Sequence, residues 1–167
     1  AREGLDFIHL RQPDGRLLVA DFAGAEDVQP ETTPAPVGGK RVTATVAVLP
    51  PAEQGLLEPA LRRRIAVPLV ATRNAQPSAR STEDRAMVLR ATAPVLGADG
   101  RVLALVQAGL LLNRNLPFID HINAIVYPDG ALPFGSQGTA TLFLDDVRIS
   151  TNVRLFGDTR AIGTRVS

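Results

Sequence analysis

MVLRATAPVLGADGRVLALVQAGLLL, residues 87–112, decides how this chain folds. Residues 87–96 and 101–112 are two β-type runs rich in Val, Leu and Ala. Gly97-Ala98-Asp99-Gly100 between them supplies a residue tolerant of positive φ and an Asp able to bond its own backbone. The stretch reads as a long hairpin. Part of it, DGRVLAL at 99–105, closely matches DGRLLVA at 14–20. A second hairpin therefore opens the chain: residues 5–12 with Phe7, Ile8 and Leu10, a turn at Pro13-Asp14-Gly15, and a return over 16–22. Flanking residues do not extend the similarity, so the two copies share turn chemistry followed by an apolar strand and are not halves of a repeat. Val42, Ala44, Val46 and Val48 alternate with Thr43, Thr45 and Ala47 in another strand, ended by Pro50-Pro51. The expected fold class is α+β, with one antiparallel sheet of about five strands.

Between and beyond these strands the pattern changes. Residues 23–41 are loop by composition. Over 53–65, Leu56, Leu57, Leu61 and Ile65 recur at helical spacing, with Gly55 and Pro59 expected to shorten or kink the helix. Residues 66–86 are polar and punctuated by proline, a connection long enough to be functional or disordered. Asn115 reads as an N-cap, Pro117 is tolerated in the first turn, and Phe118, Ile119, Ile122, Ile125 and Val126 form an apolar stripe on a helix running to about Tyr127. Residues 128–138 are a linker. A third hairpin follows over 139–144 and 147–153 with its turn at Asp145-Asp146, the start of a second sheet. Some thirty residues cannot close a core of their own, so this part docks on the first module or belongs to a truncated one.

Bulk properties exclude several functions. A chain of 167 residues with 45% hydrophobic content is long enough for one proper core. Net charge is +1 with both signs dispersed, which argues against a nucleic-acid groove or an anionic-membrane patch. Cysteine is absent, excluding disulfides, thiol chemistry and thiolate metal sites. The longest nearly unbroken apolar run, 102–112, is far short of the roughly 20 residues of a membrane helix.

Catalytic and metal signatures fail in turn. His9 and His121 lack ligand spacing and read as surface or capped residues. Asp145-Asp146 reads as turn chemistry before calcium, and Glu83-Asp84 as solvated loop before an acid–base pair. Gly38-Gly39-Lys40 lacks the rest of a phosphate loop, and Ser136 and Ser150 lack a nucleophile elbow. No enzyme, metal or cofactor is expected.

The stretches AGLLLNRNLPFIDHINAIVY (108–127) and GTATLFLDDVRISTNVRLFGDTRAIGTRVS (138–167) resemble a segment of the double Cache sensors, the PAS-like extracytoplasmic regions of bacterial chemoreceptors and sensor histidine kinases. GLDFIHLRQPDGRLLVA and MVLRATAPVLGADGRVLALV fit the family's first sheet more loosely. The resemblance implies a five-stranded antiparallel sheet flanked by helices, a small-molecule pocket in the membrane-distal module, and no catalysis. It divides the chain into a ligand-binding Cache module over 1–127, lacking the family's N-terminal helix, and a linker with the opening hairpin of a second, truncated module over 128–167. It further implies a homodimeric receptor of a two-component or chemotaxis system, placed on the periplasmic or extracellular side of the inner membrane and touching the membrane only through flanking helices.

Residue types point to the ligand. Val88, Arg90 and Thr92 share one face of the fourth strand and Met87, Leu89 and Ala91 the other, because strand side chains alternate. Gln107 is the sole polar side chain in the neighbouring apolar run and needs a partner once buried. The 66–86 connection adds Thr72, Arg73, Arg80, Ser81 and Thr82. Guanidinium forks with hydroxyls beside them suit a carboxylate. The candidate ligand-binding set is Arg73, Arg80, Thr82, Met87, Arg90, Thr92 and Gln107. Met87 stands where relatives carry a Thr-Ser-Gly-Met-like run and this chain has EDRAM, 83–87. An acetate-sized acid could gain at most about 6 kcal/mol, a Kd of roughly tens of micromolar, suited to sensing. The expected mechanism has the acid enter between the sheet and the 66–86 connection, order that connection and shift the 115–127 helix. The competing expectation is a structural or dimerisation module with no ligand.

Overall fold

The computed structural model describes residues 4–20, 41–73 and 75–166. Five antiparallel strands form its main sheet: β1 (Phe7–Arg11), β2 (Leu17–Ala20), β3 (Thr43–Leu49), β6 (Ala86–Leu96) and β7 (Val102–Leu111), in the order β2-β1-β7-β6-β3. Two-residue strands β4 (Val67–Pro68) and β5 (Thr82–Glu83) pair separately, as do β8 (Thr141–Leu144) and β9 (Val147–Thr151). The helices are α1 (Pro51–Gln54), α2 (Pro59–Ile65) and α3 (Leu116–Val126). This is the α+β, PAS-like arrangement expected from the sequence.

Turn chemistry explains both DGR copies. In each, the Asp carboxylate accepts from the Arg backbone N–H two residues on, at 3.0 Å for Asp14–Arg16 and 3.0 Å for Asp99–Arg101. Gly15 and Gly100 take φ of 94° and 74°, and each donates 2.9 Å to the carbonyl three residues back, Gln12 and Gly97. A tight turn closed by a positive-φ glycine matches the twist of the strands it joins.

Contacts gather into two units: residues up to Arg63 with Ala86–Leu111, and Arg64–Arg85 with the residues from Leu112 on. In the first, Phe7, Leu49, Leu56, Leu57, Ala86, Val88 and Leu111 are buried. Instead of one kinked helix over 53–65 there are two short ones. Pro51 opens α1, Gly55 caps it, and Pro59 starts α2, because a proline ring is tolerated only in a first turn.

In the second unit Ile65, Val67, Ile119, Val147 and Ile149 are buried, and α3 packs on β9. Asn115 caps α3 as expected, its side chain accepting 3.1 Å from the Phe118 N–H. Of the expected stripe only Ile119 is fully buried; Ile125 and Val126 are exposed. The 66–86 connection contains the β4–β5 pair, held by the Asn113 side chain, whose Nδ2 donates to the carbonyls of Ile65 (3.0 Å) and Arg85 (2.9 Å). The expected return strand extends to residue 22 and the Gly38-Gly39-Lys40 turn to residue 40. Residues 21–40 lie outside those described.

Candidate functional site

Alternation sets the chemistry of the main sheet. Phe7, His9 and Arg11 of β1 are all buried on one face, while Ile8 between them is exposed. Register places His9 opposite Gln107 and Gln107 opposite Thr92, a polar row across three strands with all three residues buried. Phe7, Gly109 and Arg90 form the next row along. Its glycine is a packing requirement, since a Cβ there would lie 2.6 Å from the Phe7 ring and 2.5 Å from the Leu89 carbonyl oxygen.

A charged network closes this face. Arg11, only 3% exposed, donates from Nε to Gln107 Oε1 at 2.6 Å, from Nη1 to the Gly15 carbonyl at 2.9 Å and from Nη2 to Glu53 Oε1 at 3.4 Å. Opposite Leu10/Arg11 the neighbouring strand β2 carries an extra residue, Leu18, while the pairing of β1 with β7 runs through Arg11 without a shift. Arg90 meets the other Glu53 oxygen, Oε2, at 3.2 Å, and Glu53 is itself buried on α1. Burial pulls the Arg11 pKa below its ordinary value, the Glu53 charge opposes that and the Arg90 charge adds to it. Two guanidiniums thus share one carboxylate in a desolvated setting, and such an arrangement favours an additional anion.

The expected site residues divide between the two units. Arg90, Thr92 and Gln107 come together on the polar sheet face. Met87 sits on the opposite face of β6, in register with Val48 and half-buried. Arg73, Arg80 and Thr82 lie in the second unit, where Arg73 and Arg80 are exposed and Thr82 pairs with Pro68. A cleft of about 290 Å³ there is lined by Thr72, Ser78, Arg80, Ser81 and Arg165, among others. Arg11 and Glu53 are the functional candidates that sequence reasoning missed.

Two expectations need correction. His9 is buried, not a surface residue. Glu83, expected in a solvated loop, has no exposed surface: its carboxylate accepts from Arg85 Nε (2.8 Å), Arg85 Nη2 (2.8 Å), the Arg85 backbone N–H (3.0 Å) and Arg80. Burial raises its pKa, but the bonds from Arg85 and Arg80 outweigh this and hold the group at about 2. Arg85 reaches on to Asp145 at 2.7 Å, tying β5 to the tip of the β8–β9 hairpin. Asp145 has φ of 52°, consistent with the turn role expected of it. Among the described residues, no group of His, Asp or Glu side chains is arranged to hold a metal ion, and no helix is long and apolar enough to cross a membrane.

Comparison with known proteins adds one finding. No curated protein and no solved structure matches the chain. The family model described as Single cache domain 3 matches residues 110–167, roughly a third of the chain, covering α3 and the β8–β9 hairpin. Cache domains are extracellular, non-enzymatic sensor domains of signalling receptors, and the match over 110–167 supports a sensor domain of the Cache kind.

Proposed function

We propose that this chain is the sensing region of a membrane-bound signal-transduction receptor, displayed on the periplasmic or extracellular side, and that the polar face of its main sheet binds a small organic acid. The observation that carries this reading is the shared carboxylate: Arg11 and Arg90 face one Glu53, with Gln107 and Thr92 beside them, all buried except Arg90, which keeps a partly exposed edge. Among the described residues Arg90 commits one of its five donors to Glu53, in a single-point contact. An acetate-like carboxylate fits the remaining fork, with the Thr92 hydroxyl completing its shell. Arg11 is the positioning group, fixed by Gln107 and the Gly15 carbonyl.

Full receptors of this kind work as homodimers, and we assign the same state to the intact protein, with a kinase or chemotaxis output. The division into a first module over 1–127 and the start of a second over 128–167 is part of the same proposal. The family match runs across that boundary, which gives equal weight to a single module.

A second reading has its own support. Arg11 is already bonded to Gln107, Gly15 and Glu53, so the network holds together with no ligand and serves as a structural core. A thermal-shift screen of acetate, propionate, lactate and succinate separates the two, since a ligand of the folded form raises stability by RT ln(1 + [L]/Kd). A concentration-dependent rise that Arg90→Met abolishes supports the sensor. Silence across the screen favours the structural module.

A further inference from the structure

The main sheet has a second face, opposite to that of Arg11 and Arg90 and lying wholly within the first unit. Pairing register sorts its side chains into rows that cross the strands. Val48 and Met87 form a short first row, followed by Val46, Leu89 and Leu110. Ala44, Ala91 and Ala108 make the next, extended by Ile8. Ala93, Val106 and Leu10 make the last, which ends on Val19 of β2. Strand side chains alternate between faces, and here the alternation is complete: His9, Arg11, Arg90, Thr92 and Gln107 occupy the inner face, while every residue of these rows is Ala, Val, Leu, Ile or Met.

None of the residues in these rows is buried. Val46 and Val19, on the two edge strands, are each 58% exposed, and Ile8 is 38% exposed. A sheet face this apolar is stable when it packs on another layer. With strands about 4.8 Å apart and about 3.3 Å per residue, the four rows spread over roughly 20 Å in each direction, on the order of 400 Å² in plan. Accessible area exceeds plan area on a corrugated surface, so stacking two such faces removes on the order of 1,000 Å², where specific interfaces begin.

Shape and charge both suit a second copy. The alanines form a trough across β3, β6 and β7, and Val46, Leu89 and Leu110 form a ridge beside it. The ridge of one copy fits the trough of another, and a two-fold axis makes both contacts at once. Like-charge pairs are the usual obstacle when a surface meets its own copy, and these rows contain no charge. The chain's own residues 21–40, with four carboxylates and three prolines, do not match such a surface in chemistry. We infer that this face is an interface between two copies of the chain, stacked sheet against sheet about a two-fold axis. It gives a surface to the homodimer assigned above and rests on that assignment, while the acid site on the inner face is independent of it.

The test is sedimentation equilibrium of the 167-residue chain over about 1–500 μM, a range that brackets the micromolar Kd expected of an interface this small. A closed monomer–dimer equilibrium is expected, unweakened between about 50 and about 500 mM NaCl because no charges meet across it. Ala91→Arg sets a charge in the trough and should weaken association at least about 100-fold, with the far-UV circular dichroism unchanged. Should that variant not fold, Val46→Lys at an exposed edge-strand position should weaken it at least about tenfold. Arg90→Met, on the inner face, should dimerise like the native chain, so the acid site and this surface fail separately. A chain monomeric across the range, its face covered from within or by a different partner, would overturn the assignment. So would a dimer that salt dissociates, or one that Ala91→Arg leaves intact, as edge-to-edge pairing through β3 would be.

Discussion

Replacing Glu83 by Gln removes the most heavily bonded carboxylate in the second unit. The native group sits at about 2 against an ordinary 4.5, with its side chain fully buried. At 1.36 kcal/mol per pKa unit, that difference corresponds to at most about 3.4 kcal/mol. Its partners Arg80 and Arg85 are 46% and 37% exposed, so solvent screening reduces the expected loss to about 2 kcal/mol. Because the folded pKa is depressed, this stability is fully present above about pH 4.5 and is lost as pH falls from there toward 2. The assay is urea unfolding followed by tyrosine fluorescence. Tyr127 is the only tyrosine, tryptophan is absent, and the signal reports the unit that contains Glu83. E83Q should unfold about 2 kcal/mol more easily at pH 7, with the gap to the native chain closing as pH drops below 4.5. A gap that persists unchanged at pH 3, or one below about 0.5 kcal/mol at pH 7, would refute the reasoning.

Gly109→Ala forces a Cβ against the Leu89 carbonyl oxygen and the Phe7 ring, and should cost about 2–3 kcal/mol, read as faster hydrogen exchange in β6 and β7. Asn115→Ala removes the cap on the Phe118 N–H and should cost about 1 kcal/mol, seen as loss of protection in the first turn of α3. Glu53→Gln leaves Arg11 and Arg90 without the carboxylate they share. A destabilisation of about 3 kcal/mol is expected, and in thermal melts added acetate should restore more stability to this variant than to the native chain.

The sequence displayed most of the fold and about half of the sheet-face cluster. Hairpins were legible because Asp-Gly turns carry their own mechanism, and Gly15 and Gly100 adopt the positive φ that the dipeptide implied. The α3 cap was legible for a similar reason: Asn115 bonds a local N–H, and nothing distant has to cooperate. The β4–β5 pair was not, since strands of two residues have no periodicity to read. In β1 the apolar alternation of Ile8 and Leu10 points to the wrong inner face. The sheet instead buries His9 beside the Phe7 ring, and Arg11 because Gln107 and Glu53, distant in sequence, supply partners for its guanidinium. Glu83 was hidden the same way: two half-exposed arginines, one of them tied to a hairpin tip, bury a single carboxylate within a polar connection. Ile125 and Val126 keep helical spacing yet are exposed, because spacing reports a face and not what covers it.

Isothermal titration of acetate into the 167-residue chain, run beside Arg90→Met and Arg73→Met, tests the sensor reading most directly. Saturable binding is predicted with a Kd no tighter than roughly tens of micromolar, weakened at least about tenfold by Arg90→Met and untouched by Arg73→Met. Equal binding by all three proteins, or no saturable heat from the unmodified chain, would contradict it.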